Sequence, residues 1–142
     1  MYALYANTIA TAVMVGVIWF VQVVHYPLLA QFGSTQSVSV AEQHQQRTGY
    51  VVGLPMLVEG VSTLWLLARR PDEVAALLPW VNAVLLAVAL GSTVLVSVPL
   101  HAKMALAHND ETGRRLVLTN WPRTIAWTTR LALCVLMLAQ LQ

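Results

Sequence analysis

One glutamate, Glu59, stands in the middle of the apolar run LPMLVEGVSTLWLLA (54–68), and one arginine, Arg130, in the middle of IAWTTRLALCVLMLA (125–139). A carboxylate that far from water is a candidate proton carrier, and a nearby guanidinium either neutralises it or grips an anion. Arg123, one and two turns N-terminal to Trp127 and Arg130, is a second candidate anion anchor. Two histidines accompany these charges, His25 in WFVQVVHYPL (19–28) and His101 closing SVPLH (97–101). Neutral imidazole serves acid–base chemistry, transition-metal binding or axial ligation of haem, so His25 and His101 are candidate catalytic and metal-ligating residues. The plainer reading is a hydrogen-bonded interior histidine. His101 with Met104 at i, i+3 would make a soft copper pair, and His108 beside Asn109 and Asp110 reads as a solvated loop residue.

At helical spacing the polar residues fall into stripes. Gln22, His25 and Tyr26 share one face, as do Thr48, Pro55, Glu59, Ser62 and Thr63. Thr93, Ser97 and His101 follow at i+4 steps. Asn120, Arg123, Trp127, Arg130 and Cys134 form a fourth line. Several chemistries are excluded: there is no G-x-S-x-G, no P-loop and no Gly-rich dinucleotide turn, Ser62, Ser92 and Ser97 lack a local base, and without an E-x-x-H pair a di-iron site is ruled out.

The elements that must carry these stripes are apolar helices. The 142-residue chain is 58% hydrophobic and 10% charged, whereas soluble domains carry about 25% charged residues. Four stretches, 7–29, 49–68, 79–100 and 123–141, are long enough to cross a hydrocarbon core of about 30 Å. The expectation is all-α: a single domain, 1–142, forming an integral membrane antiparallel four-helix bundle. The first stretch has no preceding Lys or Arg and no small-x-small exit, so it reads as a retained span rather than a signal peptide. A lone cysteine, Cys134, permits no intrachain disulfide. A net charge of +2 with scattered basic residues points away from nucleic acid and toward the lipid bilayer or an anionic ligand.

Ser39 and Glu42 stand in the S-x-x-E relation, so the second helix is expected to start at Ser39 and run toward Arg70, where Pro71 stops it. Its polar beginning, 40–48, carries His44 and Arg47 as candidate ligand contacts. Pro55 removes one backbone donor within it. Residues 71–79 make a short turn, and 102–122 a longer connection with an interfacial helix; Pro122 suits the first turn of the last helix. Tyr2, Tyr5, Trp65 and Trp80 fall at one membrane face and Tyr26, Tyr50 and Trp121 at the other. Basic residues favour loops one and three in the cytoplasm, with both termini outside. Ala12/Gly16, Gly49/Gly53 and Ala87/Gly91 are small-xxx-small pairs, suited to close packing within the bundle or to a homo-oligomer.

Chain direction then brings Gln22, His25, His44, Arg47, His101, Asn120 and Arg123 to the loop-one side of the bundle. Glu59 and Arg130 lie deeper and should pair. His25 and His101 should open onto one cavity, with Gln22, Tyr26, Trp127 and the arginines on its walls.

The chain also resembles a known group. A first span of the form G-[apolar]-W-F-x-Q followed by H-Y-P (16–27), an arginine before P-M (Arg47, Pro55, Met56) and N-x-P entering a later span (Asn120 to Pro122) resemble the HemJ-type protoporphyrinogen oxidases and their CopD-like relatives. The likeness extends equally to other bacterial four-span membrane proteins. Gln22 stands where that family carries an arginine, and Ala6 and Asn7 where it carries a histidine. The resemblance implies haem as candidate cofactor and oxidation of an anionic tetrapyrrole. Three functions follow as expectations. One is an inner-membrane protein binding an amphipathic, anionic small molecule and acting on it as an oxidoreductase. The others are a small proton-coupled carrier using Glu59, and an assembly or scaffold protein.

Overall fold

The computed structural model describes residues 1–31, 34–106 and 110–142, with side chains at 1–28, 43, 46–103 and 111–142. Every regular element among them is helical. α1 (Tyr2–Phe20) passes through a π-helical turn, Val21–His25, into α2 (Tyr26–Gln31). After α3 (Ser34–Ala68), α4 (Leu77–Ser92) passes through a second π turn, Thr93–Ser97, into α5 (Val98–Leu106). A short helix, α6 (Asp110–Thr119), precedes α7 (Trp121–Ala139). The helix expected within 102–122 is α6.

α3 ends because Pro71 has no N–H to give and disfavours helical geometry at Arg70. Arg70 then folds over the loop, donating from Nη1 to the carbonyls of Pro71 at 3.1 Å and Asp72 at 3.2 Å, and to that of Val74. α7 opens with proline in its first turn, and Thr124 N–H reaches the Asn120 carbonyl at 3.0 Å.

The start of α3 corrects the sequence expectation: it lies at Ser34, so Ser39 is interior helix and does not set the boundary. One capping box is worth only about 0.5–2 kcal/mol, and STQSVSVAEQHQQRT contains neither Gly nor Pro, so the helix propagates upstream past it. The side chains of Ser39, Glu42, His44 and Met104, and all of His108, lie outside the described residues.

Among the described residues three stretches, rather than the four expected, are long and apolar enough to cross a membrane: Tyr2–Leu28, Gln46–Ala68 and Leu77–Lys103. In the 19-residue α7, Arg123, Arg130 and three threonines lower the apolarity. α7 packs on both α1 and α4, while α1 also packs extensively on α3, and α5 lies against α3. Met14, Ile18, Ala89, Ala126 and Trp127 form the middle of the core. Leu4, Leu66, Val74, Cys134 and Met137 fill one end, and Val21, Tyr26 and Leu116 the other.

The distribution is inverted relative to a water-soluble bundle. Ile9, Phe20, Leu54, Leu64, Trp80, Val94 and Leu95 face outward, while Asn7, Thr11, Gln22, Glu59, Asn82, Asn120, Thr124 and Arg130 are buried. Two smaller expectations are corrected. Tyr26 is no belt residue, being only 3% exposed, whereas Tyr2, Tyr5, Tyr50, Trp65, Trp80 and Trp121 are exposed. A Cβ placed on Gly16, Gly49, Gly53 or Gly91 would meet nothing within 4 Å. These glycines therefore do not themselves sit at a helix–helix contact inside the chain.

Candidate functional site

The buried polar residues sort into two layers. In the deeper one, Arg130 Nη1 donates to Glu59 Oε1, and both side chains are fully buried. Arg130 Nε donates to Asn82 Oδ1 at 3.0 Å and Nη2 to Thr63 Oγ1 at 3.4 Å. Glu59 also accepts from Thr11 Oγ1 at 2.8 Å and from Trp127 Nε1 at 3.1 Å. Asn7 Nδ2 lies 2.8 Å from Ser62 Oγ and 2.9 Å from Thr63 Oγ1, while its Oδ1 accepts from Cys134 Sγ at 3.2 Å. Asn82 Nδ2 closes the ring on Cys134 Sγ at 3.3 Å. A network in which each member is satisfied fixes helix register. It leaves Glu59 and Arg130 paired as expected, and neither side chain lines any of the three recesses described below.

The second layer lies at the level of the two π turns. Gln22, on the first turn, donates from Nε2 to the Val117 carbonyl at 3.2 Å and accepts from Asn120 Nδ2 at 2.8 Å, tying α1 to the α6–α7 junction. Tyr26 Oη and His101 Nε2 are 2.8 Å apart. Ser97, on the second turn, accepts from Arg123 Nη1 at 2.6 Å, and the Arg123 guanidinium sits 5.7 Å from the centre of the Trp127 ring. Arg123 has no carboxylate partner among the described residues, and its Nε is buried without a hydrogen-bond partner.

Around this group is a cavity of about 150 Å³. Tyr26, Thr48, Thr93, Ser97, His101 and Arg123 supply its polar wall; Met14, Ile18, Val52 and Met56 supply much of the apolar one. A more open recess of about 390 Å³ adjoins it between α1 and α3, sharing Val17, Val21 and Thr48 and carrying His25 and Arg47. Along the same helix pair lies a third recess of about 440 Å³, bounded by Tyr2, Ala6, Leu57, Val61 and Trp65.

The expected single face of Gln22, His25 and Tyr26 is therefore split. A π turn carries an i→i+5 pattern and advances each side chain by a smaller angle than an α-helix does. Gln22 turns to α7, Tyr26 to the inner cavity and His25 to the outer recess. His25 and His101 consequently line different recesses, with the Tyr26 ring centre 6.1 Å from one imidazole and 5.3 Å from the other. No group of three or more His, Cys, Asp or Glu side chains able to hold a metal occurs among the described residues.

The site lends haem no support: His101 Nε2 is engaged by Tyr26, and His25 lines the adjoining outer recess rather than the inner cavity. The line Asn120, Arg123, Trp127, Arg130, Cys134 does point inward along its whole length, each member bonded to a facing helix. Sequence reasoning missed Asn7, Thr11, Asn82 and Thr124. The available signal was the i, i+4, i+7, i+11 series Asn7, Thr11, Met14, Ile18, and a lone amide, Asn82, in the third apolar run. Among known proteins, no family model, no curated protein and no solved structure matches this chain.

Proposed function

We propose that the protein is an integral, multi-pass protein of the bacterial inner membrane whose inner cavity binds a small amphipathic anion. The apolar exterior and polar interior support the membrane reading, since lipid demands that buried polar groups find partners within the protein. Contacts running from Asn7 with Thr63, through Thr11 with Glu59, to Met14 and Ile18 near Val52 and Met56 are those of antiparallel neighbours. α7 serves as the fourth span, its charges shielded by the other three. With Arg123 assigned to the cavity, Arg47, Lys103, Arg114 and Arg115 still outnumber Arg69 and Arg70, favouring loops one and three in the cytoplasm.

One observation carries the ligand reading: a guanidinium without a carboxylate partner among the described residues faces a cavity alongside the Tyr26 hydroxyl, the His101 imidazole and Ser97. Arginine so placed is a forked donor for a carboxylate or phosphate. Should the protein act on its ligand, Tyr26 and His101 are the proton-bearing groups at hand, while Glu59 is held by Arg130, Trp127 and Thr11. The geometry lends no support to a haem-dependent reaction of the HemJ type.

The test is binding to the protein in nanodiscs, read by native mass spectrometry with decanoate and its neutral counterpart decanol. Decanoate should bind and decanol should not compete. Hydrogen bonds to a charged group contribute about 1.5–3 kcal/mol, so Arg123→Gln should weaken decanoate binding roughly 10- to 100-fold. Equal binding of acid and alcohol would refute the proposal.

A further inference from the structure

The inner cavity and the outer recess share walls, and this says more about the ligand. Resting on the anion-binding reading above, we infer that the occupant is a single-chain fatty carboxylate. It reaches the cavity sideways between α1 and α3, its head on Arg123 and its tail left in the outer groove.

A cavity of about 150 Å³ has room for a carboxylate and a few methylenes, so a longer chain must leave it. Val17, Val21 and Thr48 line both the cavity and the recess of about 390 Å³, and it is past these residues that the chain would leave. Gly16 borders the outer recess and Gly49 the inner cavity, and a Cβ on either would meet nothing within 4 Å. Both glycines are exposed, so no side chain at either position covers the mouth of the space it borders. Beyond this passage, Phe20 and Val51 help make the outer recess mainly apolar, with His25, Arg47 and Thr48 as its polar members.

The charge at the inner end selects the head. A single guanidinium matches a monoanion: Arg123 donates to Ser97 and also bonds Tyr26, but among the described residues no carboxylate neutralises it, so its charge is left for a carboxylate head. The outer groove need not attract the tail. Lipid is as apolar as the groove, so moving a chain from one to the other gains little by burial. The groove accepts by shape, and the head carries the affinity.

The experiment uses the whole protein in phosphatidylcholine nanodiscs with two probes, hexanoate and a dodecanoate bearing a mid-chain diazirine. Illumination should label Phe20, Val51 or their neighbours on α1 and α3. Gly16→Leu fills the passage and, by the usual cost of overpacking, should reduce dodecanoate labelling roughly tenfold. Hexanoate binding, followed by saturation-transfer NMR, should stay within about twofold of the unmodified protein, since a 1.4 kcal/mol change would be needed for tenfold. Val51→Trp blocks the same passage from the other helix and replaces Gly16→Leu if that variant does not fold. Labelling spread over other helices, or both acids weakened equally by a folded blocking variant, would overturn the sideways placement while leaving anion binding intact. If neither acid binds the unmodified protein, the anion-binding reading falls as well.

Discussion

Replacing Arg130 by Leu removes the one cation that faces Glu59 in the deep layer. Both side chains are fully buried, so no water replaces the lost partner. Glu59 keeps Thr11 at 2.8 Å and Trp127 at 3.1 Å, but Asn82 and Thr63 each lose a donor. Removing one member of a buried pair costs about 3–5 kcal/mol. Glu59→Gln should cost a similar amount by stranding the guanidinium, though less than Glu59→Ala, which adds a cavity. The double variant Glu59→Gln with Arg130→Leu strands no charge and loses mainly hydrogen bonds, each worth roughly 0.5–1.5 kcal/mol. It should therefore be several kcal/mol more stable than the sum of the single losses. Unfolding in mixed micelles, followed by circular dichroism at a series of denaturing-detergent fractions, supplies all four corners of the cycle. Single losses that add to within about 0.5 kcal/mol would show two uncoupled residues and refute the reasoning.

The other expectations are narrower. Tyr26→Phe deletes the hydroxyl on His101 and should weaken decanoate binding about 3- to 10-fold, with a melting temperature within a few degrees of the parent; unchanged binding would remove Tyr26 from the site. Cys134, fully buried between Asn7 and Asn82, should resist a maleimide reagent in mild detergent and react upon unfolding, as mass spectrometry can follow; rapid labelling of the folded protein would contradict the closed network. Arg123→Gln and Gly16→Leu, with the outcomes given above, separate head recognition from tail placement.

Much of the interior was legible in the sequence because charges and amides are costly in apolar surroundings and their partners are few. Arg130 and Glu59 had to meet, and the inward line from Asn120 to Cys134 follows from helical spacing alone. Overall helicity likewise follows from apolar runs too long for strands.

Tertiary structure decided the rest. No residue type marks a π turn: exchanging an i→i+4 bond for i→i+5 changes little locally, and the shift serves contacts across the bundle, Gln22 with Asn120 and Ser97 with Arg123. That shift places His25 on the outer recess and His101 on the adjoining inner cavity, with Tyr26 against both rings. Small residues looked the same in sequence whether they admit a neighbouring helix or leave a gap; Gly16 and Gly49 leave a gap. α7 carries its two arginines inward or half-inward only because of its packing: apolarity along a chain records composition, whereas burial of Arg130 depends on which helices surround it.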